Sequence, residues 1–221
     1  MNVNYSGPSD LPEVVSIFPL PGALLLPRGQ MPLNIFEPRY MAMIDDALKT
    51  SRLIGMVQPE SGDLSRGKSS GLFDVGCIGR ITQFAETGDN RYVVSLTGVV
   101  RFRLREELTV LTPYRQCLVS YEPFLTDFVA RAGEEEVDRP AVLSSLKNFV
   151  EANQLQIDWK GISAASNEAL VNALCMMAPF GPREKQALLE APDLKNRAEL
   201  LVAITEIELA RRDDGSESPL Q

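Results

Sequence analysis

The chain has 221 residues, 44% of them hydrophobic, and a chain of that length buries about 70% of the surface its unfolded form exposes, so its core needs no disulfide or metal staple. Its 30 acidic against 22 basic residues give a formal charge of -8, a balance that repels phosphate backbones and anionic lipid and sets aside nucleic acid and membranes as main partners. Histidine is absent, which removes Ser-His-Asp and Cys-His catalysis and every histidine metal site.

Cys77, Cys117 and Cys175 form neither an even set nor a CxxC pair, so a reducing compartment is the simplest home. The opening residues lack a positive segment followed by an apolar run, and no stretch approaches the ~18 apolar residues of a membrane span. The expectation is a soluble cytoplasmic protein, in which the Asn4-Tyr5-Ser6 glycosylation pattern has no meaning.

In chain order, Val14 to Phe18 reads as a first strand. Pro19, Pro21, Pro27, Pro32 and Pro38 then keep the backbone extended or turning, so the first helix begins after Pro38. From Tyr40, the positions Met43, Ile44, Ala47 and Leu48 share one helical face, with Asp45, Asp46 and Lys49 outside. Leu53 to Val57 reads as a buried strand and 58–71 as a polar, glycine-rich loop. Strands follow at 77–86, 91–96, 99–105 and about 116–121, the first pair turning through Gly88, Asp89 and Asn90. Arg101, Arg103 and Arg105 alternate along one of them and read as a solvated sheet face.

The period then changes. Leu143, Leu146, Phe149 and Val150 follow helical spacing, as do Leu170, Val171 and Leu174 in a helix stopped by Pro179 and Gly181. Pro182 fits the first turn of the next helix, and Asp193 fits the cap of a last one reaching about Arg212. Four helices are expected after the sheet, then a disordered tail over 213–221. Trp159 falls in a short linker between helices, where core packing outweighs ligand stacking.

Gly62 to Ser69 matches GxxxxGK[ST], yet a phosphate loop needs a helix whose amino terminus faces the phosphates. Ser70 to Gly76 instead reads as loop and strand, so the pattern is taken as a surface loop. Cys77 and Cys175 sit in apolar periodic surroundings typical of inert core thiols. Glu134, Glu135 and Glu136 read as the acidic start of a helix rather than a cation site. No catalytic, cofactor or metal residue is assigned, and no cofactor is expected.

Phe18-Pro19-Leu20, the apolar run Leu24 to Pro27, and Pro32-Leu33-Asn34-Ile35-Phe36-Glu37-Pro38-Arg39-Tyr40 together resemble the opening of the Lon protease amino-terminal domain family. Gly76 to Ile81, Leu96-Thr97-Gly98-Val99-Val100-Arg101-Phe102, Pro113-Tyr114, and Met177 to Gln186 with Leu188-Leu189-Glu190 are similar to its later motifs. The resemblance covers nearly everything from Val14 to Ile207. It implies an α+β fold, with a PUA-like β barrel over 1–125 followed by a helical bundle over 126–212. It also implies a non-enzymatic, stand-alone module that engages unfolded or partly folded polypeptides in protein quality control, beside a partner protease or chaperone and with self-association into a homodimer. Phe36, Glu37, Arg39, Tyr40 and Arg101 are its candidate polypeptide-binding or framework residues. The alternative reading is a small-molecule or nucleotide-binding regulator using the barrel cleft or the loop around Lys68.

Overall fold

The computed structural model describes residues 4–60 and 71–215, the side chains of 212–215 excepted. Among the described residues, six strands are followed by five α-helices, with a sixth α-helix inserted among the strands. The strands are β1 (Val14–Pro19), β2 (Gln30–Ile35), β3 (Leu53–Val57), β4 (Val75–Thr87), β5 (Arg91–Glu107) and β6 (Arg115–Ser120). The helices are α1 (Pro38–Lys49), α2 (Arg139–Ala152), α3 (Trp159–Ala164), α4 (Asn167–Met177), α5 (Pro182–Glu190) and α6 (Leu194–Gly215).

The sheet is mixed, in the order β2-β5-β4-β3-β1-β6, with β1 and β3 parallel and the other pairs antiparallel. The carboxy-terminal half of β5 also pairs with β6, so the hydrogen-bonded circuit through β4, β3 and β1 returns to its starting strand. Every residue of β3 is buried, as its unbroken apolar run requires for a strand covered on both faces. α1 buries Tyr40, Met43, Ile44 and Ala47 as its spacing demands, with Pro38 in the first turn where no amide hydrogen is needed.

The expected break between strands 91–96 and 99–105 is absent, because β5 runs through Gly98 without interruption. The glycine is needed for close approach rather than for a turn. A Cβ there would lie 2.0 Å from the Leu26 carbonyl oxygen, and the crossing segment is held by Arg28 N–H to Gly98 O at 2.8 Å and Gly98 N–H to Gly29 O at 2.8 Å.

The helical half contains one element more than the sequence suggests. α3 begins at Trp159, and the Asp158 side chain accepts from the Lys160 amide at its amino end. Trp159 is therefore helical, and at 43% exposed it does not pack in the core. The acidic run Glu134–Glu136 forms a separate 3-10 turn, and α2 is capped instead by Asp138, which accepts from the Ala141 amide. α6 continues past Arg212 to Gly215, into the segment expected to be a disordered tail; a glycine is a common terminator. The remaining tail residues 216–221 and the Gly62 to Ser69 pattern lie outside the described residues.

One apolar cluster runs through both halves, from Val15 and Phe102 in the strands to Leu188 and Ala198 in the helices. The seam between them is lined with buried polar groups that find partners across it. Gln58 accepts from the Gly22 amide at 2.9 Å and donates to Pro182 O at 3.0 Å. Gln186 returns the contact by donating to Val75 O at 3.1 Å, and Asn172 donates to Pro27 O at 3.2 Å.

Arg101 is the most demanding of these groups. Only 1% exposed, it donates through Nε and Nη2 to the two Asp127 oxygens, at 2.9 Å each, and through Nη1 to Leu189 O at 3.0 Å and Ala191 O at 2.6 Å. Asp127 Oδ2 also accepts from the Arg101 amide at 3.0 Å, and the guanidinium lies 4.6 Å from the Phe124 ring centroid. The expected solvated arginine face thus holds for Arg103 and Arg105 but not for Arg101. A 3-10 segment, Glu122–Phe128, supplies both Phe124 and Asp127 and packs over β5 there.

Arg101→Met leaves the Asp127 carboxylate buried without its counter-ion, and removing one partner of a buried pair costs about 3–5 kcal/mol. Urea denaturation of this variant is expected to show that loss, with partial recovery in Arg101→Met/Asp127→Leu. The amino end of α6 gives a second test. The Asn196 backbone amide, 2.8 Å from Asp193 Oδ1, holds the Asp193 carboxyl below its ordinary range. A carboxyl whose folded pKa is depressed adds stability above its unfolded pKa and loses it as pH falls further. Asp193→Ala is expected to cost about 1 kcal/mol at pH 7, with the difference from the parent shrinking as the pH drops below about 4.

Candidate binding surfaces

The five residues singled out in the sequence do not form one site. Arg101 and Tyr40 are buried. Tyr40 stands edge-on to Phe18 with ring centroids 4.6 Å apart, and the Arg39 guanidinium lies 4.5 Å over its ring. Glu37 and Arg39 form a half-exposed ion pair at 2.8 Å at the start of α1. Burial raises the Tyr40 hydroxyl above its ordinary pKa. Phe36 projects into solvent, 62% exposed, with the Arg91 guanidinium 6.0 Å from its ring. It follows β2, which is the end strand of the order and, among the described residues, pairs only with β5. Pro32 in that strand has no amide to donate, which weakens the edge as a template for an added strand.

A more developed apolar surface lies among the helices. α4 ends at Met177 because Pro179 cannot continue it and Gly181 disfavours it, and the chain turns away to begin α5. Met177 is left 82% exposed at the rim. Below it, a groove of about 300 Å³ is lined by Leu146, Phe149 and Val150 of α2, by Leu174 of α4, and by Leu201 and Val202 of α6. The connection after α2 closes one end with Leu155 and Ile157, and Phe180 closes another.

No lining residue carries a charge. Two of the polar groups at the wall are turned to their own helices: Thr205 Oγ1 donates to Leu201 O at 2.7 Å and Asn153 Nδ2 to Phe149 O at 2.8 Å. The surface can therefore take up apolar side chains without stranding a charge, at the low end of the volume range of ligand pockets. Flexible Met177 at the rim suits an adaptable contact. The sequence placed Leu146, Phe149, Val150 and Leu174 on the apolar faces of their own helices, and nothing in a single helix signals that several segments leave a gap.

Nucleophilic chemistry has no support in the thiols. All three cysteines are buried and free. Burial raises the pKa of Cys117 to about 11 and of Cys175 to about 12, and raises Cys77 further still. A thiol reagent at neutral pH is expected to label none of the three in the folded protein and all three in urea. Rapid labelling of any one under native conditions would contradict their burial.

Residues 14–206 match the family model of the ATP-dependent protease La (LON) substrate-binding domain. Lon protease 2 of Sorangium cellulosum is 30% identical over 208 residues, covering 89% of this chain and 25% of that protein. Lon protease 2 of Myxococcus xanthus is 27% identical, covering 88% of this chain and 24% of that protein. The chain thus spans about a quarter of the length of these relatives. Among solved structures, a Lon N-terminal domain protein from Xanthomonas campestris superposes with a TM-score of 0.61 at 21% identity, covering 86% of this chain and 97% of that one. The N-terminal domain of a Mycobacterium avium complex Lon protease superposes with a TM-score of 0.64 at 17% identity, covering 87% and 98%. These likenesses agree with the mixed sheet plus helices described above.

Proposed function

Because the chain belongs to the LON substrate-binding domain family, we propose that it recognises unfolded or partly folded polypeptides and that the groove between α2, α4 and α6 holds their apolar side chains. The observation that carries this reading is the uncharged lining of the groove in a protein of formal charge -8. Unfolded chains differ from folded ones chiefly in presenting large apolar side chains, and an exposed apolar cleft is the surface that responds to that difference. The match is to a substrate-binding domain alone, so the ATP hydrolysis and proteolysis of full-length relatives are not carried over. In this reading the protein is a non-enzymatic module in protein quality control, delivering clients to a separate protease or chaperone. We further read the closed strand circuit as a PUA-like barrel serving as a platform for the helices. Arg101 is then a framework residue, and Phe36, Glu37, Arg39 and Tyr40 lie outside the principal contact.

The test is a fluorescence anisotropy titration of a labelled, permanently unfolded model protein, such as reduced and carboxymethylated α-lactalbumin. Met177 and Leu155 are exposed in the folded protein, so Met177→Asp/Leu155→Asp leaves the fold intact while placing charge at the rim. Each apolar side chain buried on binding is worth about 1.5 kcal/mol or more, so the double variant is expected to bind at least roughly tenfold more weakly. Phe36→Asp is expected to bind like the parent. Unchanged affinity in the double variant, or loss in Phe36→Asp, would move the contact to the β2 edge.

A further inference from the structure

A second cavity, sharing no lining residue with the groove, opens on the sheet side of the protein. Its volume is about 570 Å³, and its walls come from Arg80 and Thr82 of β4, from Thr97 to Val99 of β5, from Asn4 and Tyr5, and from Phe128 and Ala130. Three charged side chains line it: Arg28, Arg80 and Asp127. Arg28 is answered by the Glu168 carboxylate and Asp127 by the Arg101 guanidinium. The Arg80 charge is left over.

Arg80 stands between Leu53 of β3 and Thr97 of β5 in the sheet register. Its Nη1 donates to the Tyr5 hydroxyl oxygen at 2.9 Å and to Ser51 O at 3.1 Å. Both acceptors are neutral, and together they hold the guanidinium in place while using one of its three nitrogens. Nε and Nη2 have no partner among the described residues, and neither is among the buried polar atoms left unpaired, so both are open to solvent. These two atoms form the side-on edge of the guanidinium. Arg28, Arg101 and Arg115 present that same edge to the carboxylates of Glu168, Asp127 and Glu107. In Arg80 the edge is immobilised, charged and unfilled.

We propose that this cavity binds a carboxylate carried on a peptide-like skeleton, with the carboxylate accepting from Arg80 Nε and Nη2 side by side and the skeleton lying along Thr97, Val99 and Phe128. The planar pair of carboxylate oxygens matches the spacing of the two donors. One unanswered positive charge suits a single negative charge better than a phosphate dianion. The rest of the lining sets the skeleton. Val99, Phe128 and Ala130 are apolar, whereas Asn4, Thr82 and Thr97 bring polar side chains. A hydrocarbon acid would press carbon against those polar groups, and an inorganic ion would leave most of the volume unfilled, while amide groups pair with them. Because Nη1 is already anchored, little side-chain freedom is lost when the ligand binds. The assignment does not depend on what the helical groove binds.

The experiment is an NMR titration of the isotope-labelled full chain, read at the Arg80 Nε–H and at the Thr97 and Gly98 amides. The ligands are N-acetyl-leucine, with a terminal carboxylate, N-acetylglutamate α-amide, with a side-chain carboxylate, and N-acetyl-leucine amide, with neither, at matched ionic strength. Saturable shifts are expected for one or both carboxylates and none for the amide, and the carboxylate that responds identifies whether a chain end or an acidic side chain is the source. Arg80→Lys keeps the charge and loses the side-on pair, and is expected to weaken binding roughly tenfold or more. Ala130 is exposed, so Ala130→Trp fills the cavity without disturbing the core or Arg80, and is expected to abolish the shifts. A role for Arg80 confined to anchoring Tyr5 predicts no ligand response at its Nε–H. That result, an equal response to the amide, unchanged affinity in either variant, or a stronger response to inorganic phosphate would each overturn the assignment.

Discussion

A single buried ion pair decides how the strands and helices of this protein meet. Arg101 sits in the middle of β5, yet its guanidinium reaches the carboxylate of Asp127 and the carbonyls of Leu189 and Ala191. Those two carbonyls belong to the last turn of α5 and the residue after it, the negative end of that helix, so the arginine meets both a full charge and a dipole. A strand guanidinium engaged by two other pieces of chain tolerates little displacement of either, because each lost bond leaves a buried polar group unpaired. The position of α5, and with it the start of α6, therefore follows from a residue in the sheet.

That constraint reaches the groove. α6 begins four residues after α5 ends, and its Leu201, Val202 and Thr205 form one wall of the apolar cleft. Gln58, Gln186 and Asn172 add directional bonds along the same seam. Apolar contacts alone are tolerant of small rotations, whereas hydrogen-bonded polar residues accept one arrangement. The helices around the groove also pack on one another, α2 on α6 and α4 on α6, so the groove is the gap that these packed helices leave at their surface.

Much of the framework was legible in the sequence, and the reasons are local. Strand β3, helix α1 and the bounds of α4 follow from runs and spacings within single segments. Pro38, Pro182 and Asp193 mark helix starts by chemistry that acts on adjacent backbone. Errors arose where distant chain intervenes. Arg101 obeys strand alternation and was read as solvated, and only the return of 122–128 over β5 buries it. Gly98 looked like a break, because the backbone of Leu26 that it accommodates is far away in sequence. Trp159 looked like core, and the short α3 turns it outward. The groove has no signature in one segment, since it is a gap left by several.

The most direct measurement is methyl NMR of the full chain, titrated with an unfolded polypeptide and followed at the leucine, isoleucine and methionine methyls. The account requires shifts concentrated at Leu146, Leu155, Ile157, Met177 and Leu201, with Leu33 and Ile35 of β2 unmoved. Shifts centred on β2, or none at all, would contradict it.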